Sequence, residues 1–203
     1  MSDSPRKRGR PATIDTKSAM HAMVELFRDK GYAAVSLDDL SEATGLSRPS
    51  LYRSFGNKLS MYVGAMNAFG EDVAELALPK LEAEGDLQTA LTDFFDAMLA
   101  IYYRDSDIAP GCLVFGTAPS HADEDEIKSR LKFGIDQVDA RMRARMKLSF
   151  PECNTARLTT AAHMASNTLI AFSARAKSGA TRSQLSAIGS ESARTIVMLL
   201  RAD

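Results

Sequence analysis

Apolar residues recur every third or fourth position along almost the whole chain, with breaks at glycine, proline, serine, asparagine and aspartate. That period is the mark of amphipathic helices. Asp15 is placed to cap a first helix to about Lys30, with Ala19, Met23, Leu26 and Phe27 on its buried stripe and Gly31 as its stop. Ser36 and Asp39 have the spacing of a capping box, in which each side chain satisfies an orphan amide at a helix start. Leu37, Leu40 and Ala43 follow near one face, and Gly45 can take the left-handed conformation that ends a helix. Leu46 fills the corner, Ser47 stands at the next N-cap, and a second short helix carries Arg48 to Phe55 with Pro49 in its first turn, where a missing N–H does no harm. Two short helices across a tight turn have the outline of a helix-turn-helix, whose second helix can enter a DNA major groove.

The rest of the chain continues the pattern. A long helix should start near Asn57-Lys58, with Leu59, Tyr62, Val63, Met66, Phe69 and Val73 on one face, and end before Pro79. Gly85-Asp86 opens another, to about Tyr103, with a broad apolar face of Leu87, Leu91, Phe94, Phe95, Met98, Leu99 and Tyr102. Gly111 to Ala118 is too short to assign from its period and is read as a short helix because its surroundings are helical. Asp123 to Glu126 suit the first turn of a helix that carries Ile127, Leu131, Ile135, Val138, Met142 and Met146 as far as Phe150-Pro151. Two last helices span about 154–177 and 181–201. No strand alternation or hairpin signal occurs, so the expected fold is all-α, with about nine helices.

Charge divides this chain where the helix pattern does not. The net charge is −1, yet residues 1–60 hold ten Lys/Arg against seven Asp/Glu, which leaves −4 for the remainder. A basic end holding a helix-turn-helix beside an acidic body suggests that one end alone meets nucleic acid. Residues 1–13 are polar, basic and rich in Pro and Gly, a composition expected to be disordered without a partner. Arg6, Arg8 and Arg10, before Pro11, suit a narrow minor groove; a merely solvated tail is the plain alternative. No run approaches the roughly 20 apolar residues of a membrane span. Two cysteines, Cys112 and Cys153, make no disulfide framework, and a reducing cytoplasm is the expected location. No G-x-S-x-G, P-loop or H-E-x-x-H motif occurs, and His21, His121 and His163 lie far apart, so the expectation is no enzyme, no cofactor and no metal.

The run G-L-S-R-P-S-L-Y-R-S-F-G-N-K at 45–58 resembles the signature around the recognition helix of the tetracycline-repressor (TetR) family. The helices before and after it sit where that family has its first and fourth. Leu40-Ser41 departs from the family's usual Ile-Ala pair. The resemblance implies a DNA-binding domain at 14–60 and a ligand-binding and dimerisation domain at 61–203. It also implies a homodimer on palindromic operator DNA, most often a repressor, released by a small-molecule effector. Ser36, Ser47, Tyr52 and Lys58 match family positions that touch phosphates, and Arg48, Pro49, Ser50 and Arg53 match the exposed face of the recognition helix. The chemistry agrees: Arg48 can fork onto a guanine, and Pro49 can pack on a thymine methyl.

Within the body, Phe94, Phe95, Met98, Tyr102, Leu113, Phe115, Phe133, His163, Met164 and Asn167 are the candidate lining of an effector pocket, although such an aromatic and methionine stripe also suits plain core. Cys112 lies in a G-C-L segment like that of some family members that sense electrophiles. A cysteine at a helix N-terminus can have a lowered pKa, against the alternative of an inert buried thiol. Small residues in the last two helices, among them Ala161, Ala162, Ala165, Ser166, Ala171, Gly189 and Ala193, suit a two-fold four-helix interface or close packing within one subunit. A rival reading from another class is a helical protein–protein interaction module with a basic tail and no sequence-specific DNA binding.

Overall fold

A computed structural model describes residues 15–104 and 109–202. Among these the chain is helical throughout: α1 (Thr16–Ala34), α2 (Leu37–Thr44), α3 (Arg48–Phe55), α4 (Lys58–Leu76) and α5 (Leu78–Glu82) come first. They are followed by α6 (Leu87–Tyr103), α7 (Leu113–Thr117), α8 (Asp125–Ser149), α9 (Thr155–Lys177) and α10 (Arg182–Arg201), with a 3₁₀ turn at Ala118–His121. All nine expected helices are present. The addition is α5: α4 stops at Leu76 rather than running up to Pro79, which sits in the first turn of α5. Proline cannot donate to the ladder of a continuing helix but fits the start of a new one.

The caps act where the spacing put them. Asp15 accepts from the Ser18 amide, the Ser36–Asp39 box is closed in both directions, and Asn57 accepts from the Ser60 amide at 2.8 Å. Gly31 breaks α1 with φ 75°, and the helix resumes for one turn beyond it. Ser47 stands at the N-cap of α3 but makes no capping bond; its hydroxyl pairs with that of Ser50 at 3.0 Å. At the Leu40-Ser41 pair, Leu40 is fully buried, and the Ser41 hydroxyl is buried without a hydrogen-bond partner among the described residues.

α1 packs against α2, α4 and α7; α6 lies between α5 and α10, and α8, α9 and α10 pack in series. One continuous apolar core runs from Met23 to Leu200. Gly189 lets α10 close on α6 and α9: a Cβ there would lie 3.2 Å from both Phe95 and Phe172, whose rings meet edge to face at 5.8 Å. No helix among the described residues is long and apolar enough to cross a membrane.

α4 is tied to α7 by a chain of hydroxyls. Thr117 Oγ1 donates to the Leu113 carbonyl at 2.5 Å, so the Tyr62 hydroxyl donates to Thr117, also at 2.5 Å. Burial pushes the Tyr62 phenol up from 10.0 to about 12. A group whose folded pKa is raised contributes stability that is whole below its unfolded pKa and is lost as pH rises through the folded one. The protein should therefore lose about 2 kcal/mol between pH values near 10 and 12 from this group. Denaturant midpoints measured over that range should fall less steeply in Tyr62→Phe, and equal slopes would refute the assignment.

Candidate functional site

The exposed face of α3 is built by a division of labour along one short helix. Leu51 is fully buried and Phe55 packs partly against the core, so these two anchor α3 on the rest of the head. The same rotation turns Arg48, Pro49, Tyr52 and Arg53 outward, with Tyr52 49% exposed although it is a large aromatic. Gly45, at φ 68°, makes the turn that sets α3 across α2. Ser36 and Ser47 are exposed at the starts of α2 and α3, and Ser50 is half-buried between Ser47 and Arg53 Nη2. The structure thus brings Ser47, Arg48, Pro49, Ser50, Tyr52 and Arg53 onto one small element. Arg6, Arg8 and Arg10 lie outside the described residues.

Two cations on this face have partners that spacing did not reveal. Arg48 donates through Nε (2.9 Å) and Nη2 to one carboxylate oxygen of Asp38 on α2. Both side chains are more than half exposed, so water screens the pair and it can yield to a phosphate or guanine. Lys58 is folded back: its Nζ donates to the Ala33 carbonyl at 3.3 Å and lies 4.8 Å over the Tyr32 ring. Partial burial lowers the Lys58 pKa. On the other side of α2, Lys30 pairs with Asp39 at 2.6 Å, and that hydrogen bond, with those from Ser36, holds the Asp39 carboxyl well below its ordinary range.

Behind this head, a cavity of about 520 Å³ opens between α4 and α8, with the start of α7 as its floor. Met66, Phe69, Val73, Met98, Val114, Phe115 and Val138 make it mostly apolar, and Arg130, Arg141 and Glu71 supply its charge. Of the residues expected in an effector pocket, Met98, Phe115 and Phe133 line it, and so does Cys112. Phe94, Phe95, Tyr102 and Leu113 are buried in the core outside this lining, because the broad face of α6 is used mainly against its neighbouring helices. His163 and Asn167 are exposed on α9, with His163 Nε2 3.6 Å from Asp139 of α8, and Met164 is half-buried beside them. The missed lining residues of α4 carried a readable signal, an apolar stripe, which sequence alone cannot distinguish from core.

Cys112 stands at the N-cap of α7, and its sulfur accepts from the Phe115 amide at 3.4 Å. Its thiol pKa is nevertheless raised, chiefly by burial. The lowering expected at a helix start is outweighed because α7 is short and Cys112 is 2% exposed. The Tyr102 hydroxyl lies buried beside it. Among the described residues, no group of three or more His, Cys, Asp or Glu side chains is placed to hold a metal.

Between head and cavity sits a fully buried arginine, Arg28 of α1. It donates from Nη1 to both oxygens of Glu25 at 2.9 Å, from Nη2 to the carbonyls of Ile101 and Tyr102, and from Nε to the Gly111 carbonyl at 3.0 Å. Its guanidinium lies 5.4 Å over Phe69, which also lines the cavity. Arg104, just past the end of α6, extends the cluster to Glu25 at 3.2 Å and to Asp72 of α4 at 2.5 Å. α1, α4, α6 and the segment entering α7 are therefore joined at one polar knot.

Residues 19–64 match a family model described as bacterial regulatory proteins, tetR family. YezE of Bacillus subtilis (strain 168), an uncharacterized HTH-type transcriptional regulator, is 31% identical over 110 residues, 54% of this chain and 56% of that protein. The HTH-type transcriptional repressor ComR of Escherichia coli (strain K12) is 32% identical over 129 residues, 63% of this chain and 61% of that protein. The matches thus span less than two thirds of either relative's length. Among solved structures, a cysteine variant of the TetR family transcriptional regulator CifR complexed with operator DNA superposes with a TM-score of 0.76. That likeness covers 92% of this chain and 98% of that one at 23% identity, and it speaks for the fold alone. The match to the tetR family of bacterial regulatory proteins thus covers the helix-turn-helix and parts of its flanking helices, and the chain as a whole shares the fold of a TetR family regulator.

Proposed function

We propose that this chain is a DNA-binding transcriptional regulator, a repressor that leaves a palindromic operator when a small molecule occupies the cavity between α4 and α8. One observation carries the DNA part: α3 buries Leu51 while turning Arg48, Pro49, Tyr52 and Arg53 to solvent, on residues that fall within the tetR family match. In this reading residues 14–60 form the DNA-binding domain and 61–203 the sensing and dimerising one. Arg48 and Arg53 read bases, Ser36, Ser47 and Tyr52 hold phosphates, and Lys58 joins them on leaving Ala33. CifR was solved on operator DNA, which supports the same use of α3 here.

A homodimer through α9 and α10 completes the proposal. Ala161, Ala162, Ala165, Ser166, Gly189 and Ala193 are consumed in packing within the chain. Ala171, Ala174, Ala187 and Ser190 remain exposed, with Met198 59% exposed, and these are the surface available to a second copy. Effector coupling requires unequal affinity for the DNA-competent and released conformations, typically about 1–3 kcal/mol.

The test is selection of bound DNA from a random pool, followed by titration at several salt concentrations. A palindrome should emerge, and its affinity should fall by at least about 100-fold between 50 and 200 mM salt as counterions are released. Arg53→Ala should cost about 10- to 100-fold on the selected site and relax the choice of base there. A pool that yields no sequence, or binding indifferent to salt, would favour the protein-interaction reading instead.

A further inference from the structure

The rim of the cavity says what kind of molecule fits it. Its interior wall is apolar, from Met66 and Phe69 on α4 through Met98 to Val114 and Phe115 on α7. Its charged groups are Arg130 and Arg141 on α8 and Glu71 on α4. Arg141 is already engaged, with Nη1 2.8 Å from a carboxylate oxygen of Glu82. Arg130 is different. Among the described residues it makes neither an ion pair nor a hydrogen bond, and its guanidinium is stationed 5.1 Å over the ring of Phe133, another lining residue. Stacking on an aromatic face holds a guanidinium by its plane and leaves the N–H edge free for an acceptor.

We propose that the cavity takes an anionic amphiphile: an apolar body of aromatic or alkyl character against α4 and α7, and a carboxylate or sulfonate on the free N–H edge of Arg130. This rests on the reading of the cavity as the effector site. The alternatives fit less well. A cationic amphiphile would find only Glu71 in the lining and would meet two guanidinium groups. A wholly neutral body would use the apolar wall but leave the Arg130 edge to water. The planar fork of arginine suits a bidentate oxyanion, and the half-open mouth makes this a moderate rather than a large contribution to affinity.

Two fluorescent probes with the same ring system test this at fixed ionic strength: 1-anilinonaphthalene-8-sulfonate, which is anionic, and N-phenyl-1-naphthylamine, which is neutral. The full chain should bind the sulfonate about 5- to 10-fold more tightly. Arg130→Gln should bring the two affinities together without weakening the neutral probe, and Arg130→Lys should keep part of the preference. Two occluding variants report on the site itself. Gly134→Leu fills it from α8, where even a Cβ would lie 3.3 Å from Val114 Cγ1, and Ala74→Phe fills it from an exposed position on α4. Loss of both probes in either folded variant, with a preference that depends on Arg130, supports the proposal. Equal affinities, or a preference that survives Arg130→Gln, while occlusion still expels both probes, overturns the anionic class and leaves the cavity reading standing. Binding that ignores both occluding variants overturns the cavity reading and the class with it.

Discussion

Arg28→Met should lower the unfolding free energy by about 3 kcal/mol, seen as a fall of roughly 6–12 °C in Tm. Methionine keeps an apolar stem against Phe69 but removes every donor. Replacing a whole buried ion pair by apolar groups can be neutral, whereas removing one partner leaves the other unmet. Here most of the partners are backbone carbonyls, at Ile101, Tyr102 and Gly111, and no side-chain substitution can delete them. Two of these belong to the last turn of α6, where carbonyls have no helical partner of their own. Glu25 is better protected, since it is partly exposed and keeps Arg104. Equilibrium denaturation of the variant measures the effect, and a change below about 1 kcal/mol would show that water reaches those carbonyls. Because Phe69, under the Arg28 guanidinium, also lines the cavity, the proposed function predicts that the same variant weakens coupling between effector and DNA, read as the ratio of operator affinities with and without the effector.

Gly111→Ala should be nearly as damaging, at about 3 kcal/mol, for a different reason. Gly111 has φ 75°, which costs an L-residue about 1–2 kcal/mol. Its missing Cβ is also occupied space: one placed there would lie 2.9 Å from Ser173 Oγ and 3.0 Å from the Ser173 carbonyl oxygen of α9. The hydroxyl could rotate away, but it is the acceptor for the Cys112 amide at 3.0 Å, and the carbonyl is fixed in a helix. Gly45→Ala is the control, since Gly45 has a similar φ of 68° and nothing within 4 Å of a new Cβ. It should lose only the backbone part, about 1–2 kcal/mol. If Gly111→Ala costs no more than Gly45→Ala, the close approach of α9 is not what requires glycine. The double variant with Arg28→Met should cost less than the sum, because both changes disturb the seat of the Gly111 carbonyl.

Most of the local structure was legible in the residues. Helix periods, the caps at Asp15 and Ser36, the helix start at Asn57-Lys58 and the turn at Gly45 depend on neighbours within four positions, and so they survive as read, whereas Gly31 interrupts α1 without ending it and Ser47 makes no capping bond. The outward set on α3 was legible for the same reason: on so short a helix, burying Leu51 fixes where Arg48, Tyr52 and Arg53 point. Pro79 shows the limit of that logic, since it marked a helix end correctly and hid a helix start.

What tertiary structure alone decided depends on residues far apart in the chain. Arg28 looks in sequence like one more polar position near the end of α1, and only the meeting of α1 with α6 and Gly111 makes it the buried knot. Cys112 stood at a helix start as expected, yet burial, a sum over many distant atoms, outweighed the local dipole and raised its pKa. The cavity is the plainest case. Periodicity tells which face of a helix is apolar but not whether that face meets another helix or a void, so Phe94 and Phe95 went to the core while Met66 and Phe69 line the cavity. The sequence by itself determined a helical chain with a helix-turn-helix near one end; the tertiary structure decided how that element is fastened to the body and where the body is hollow.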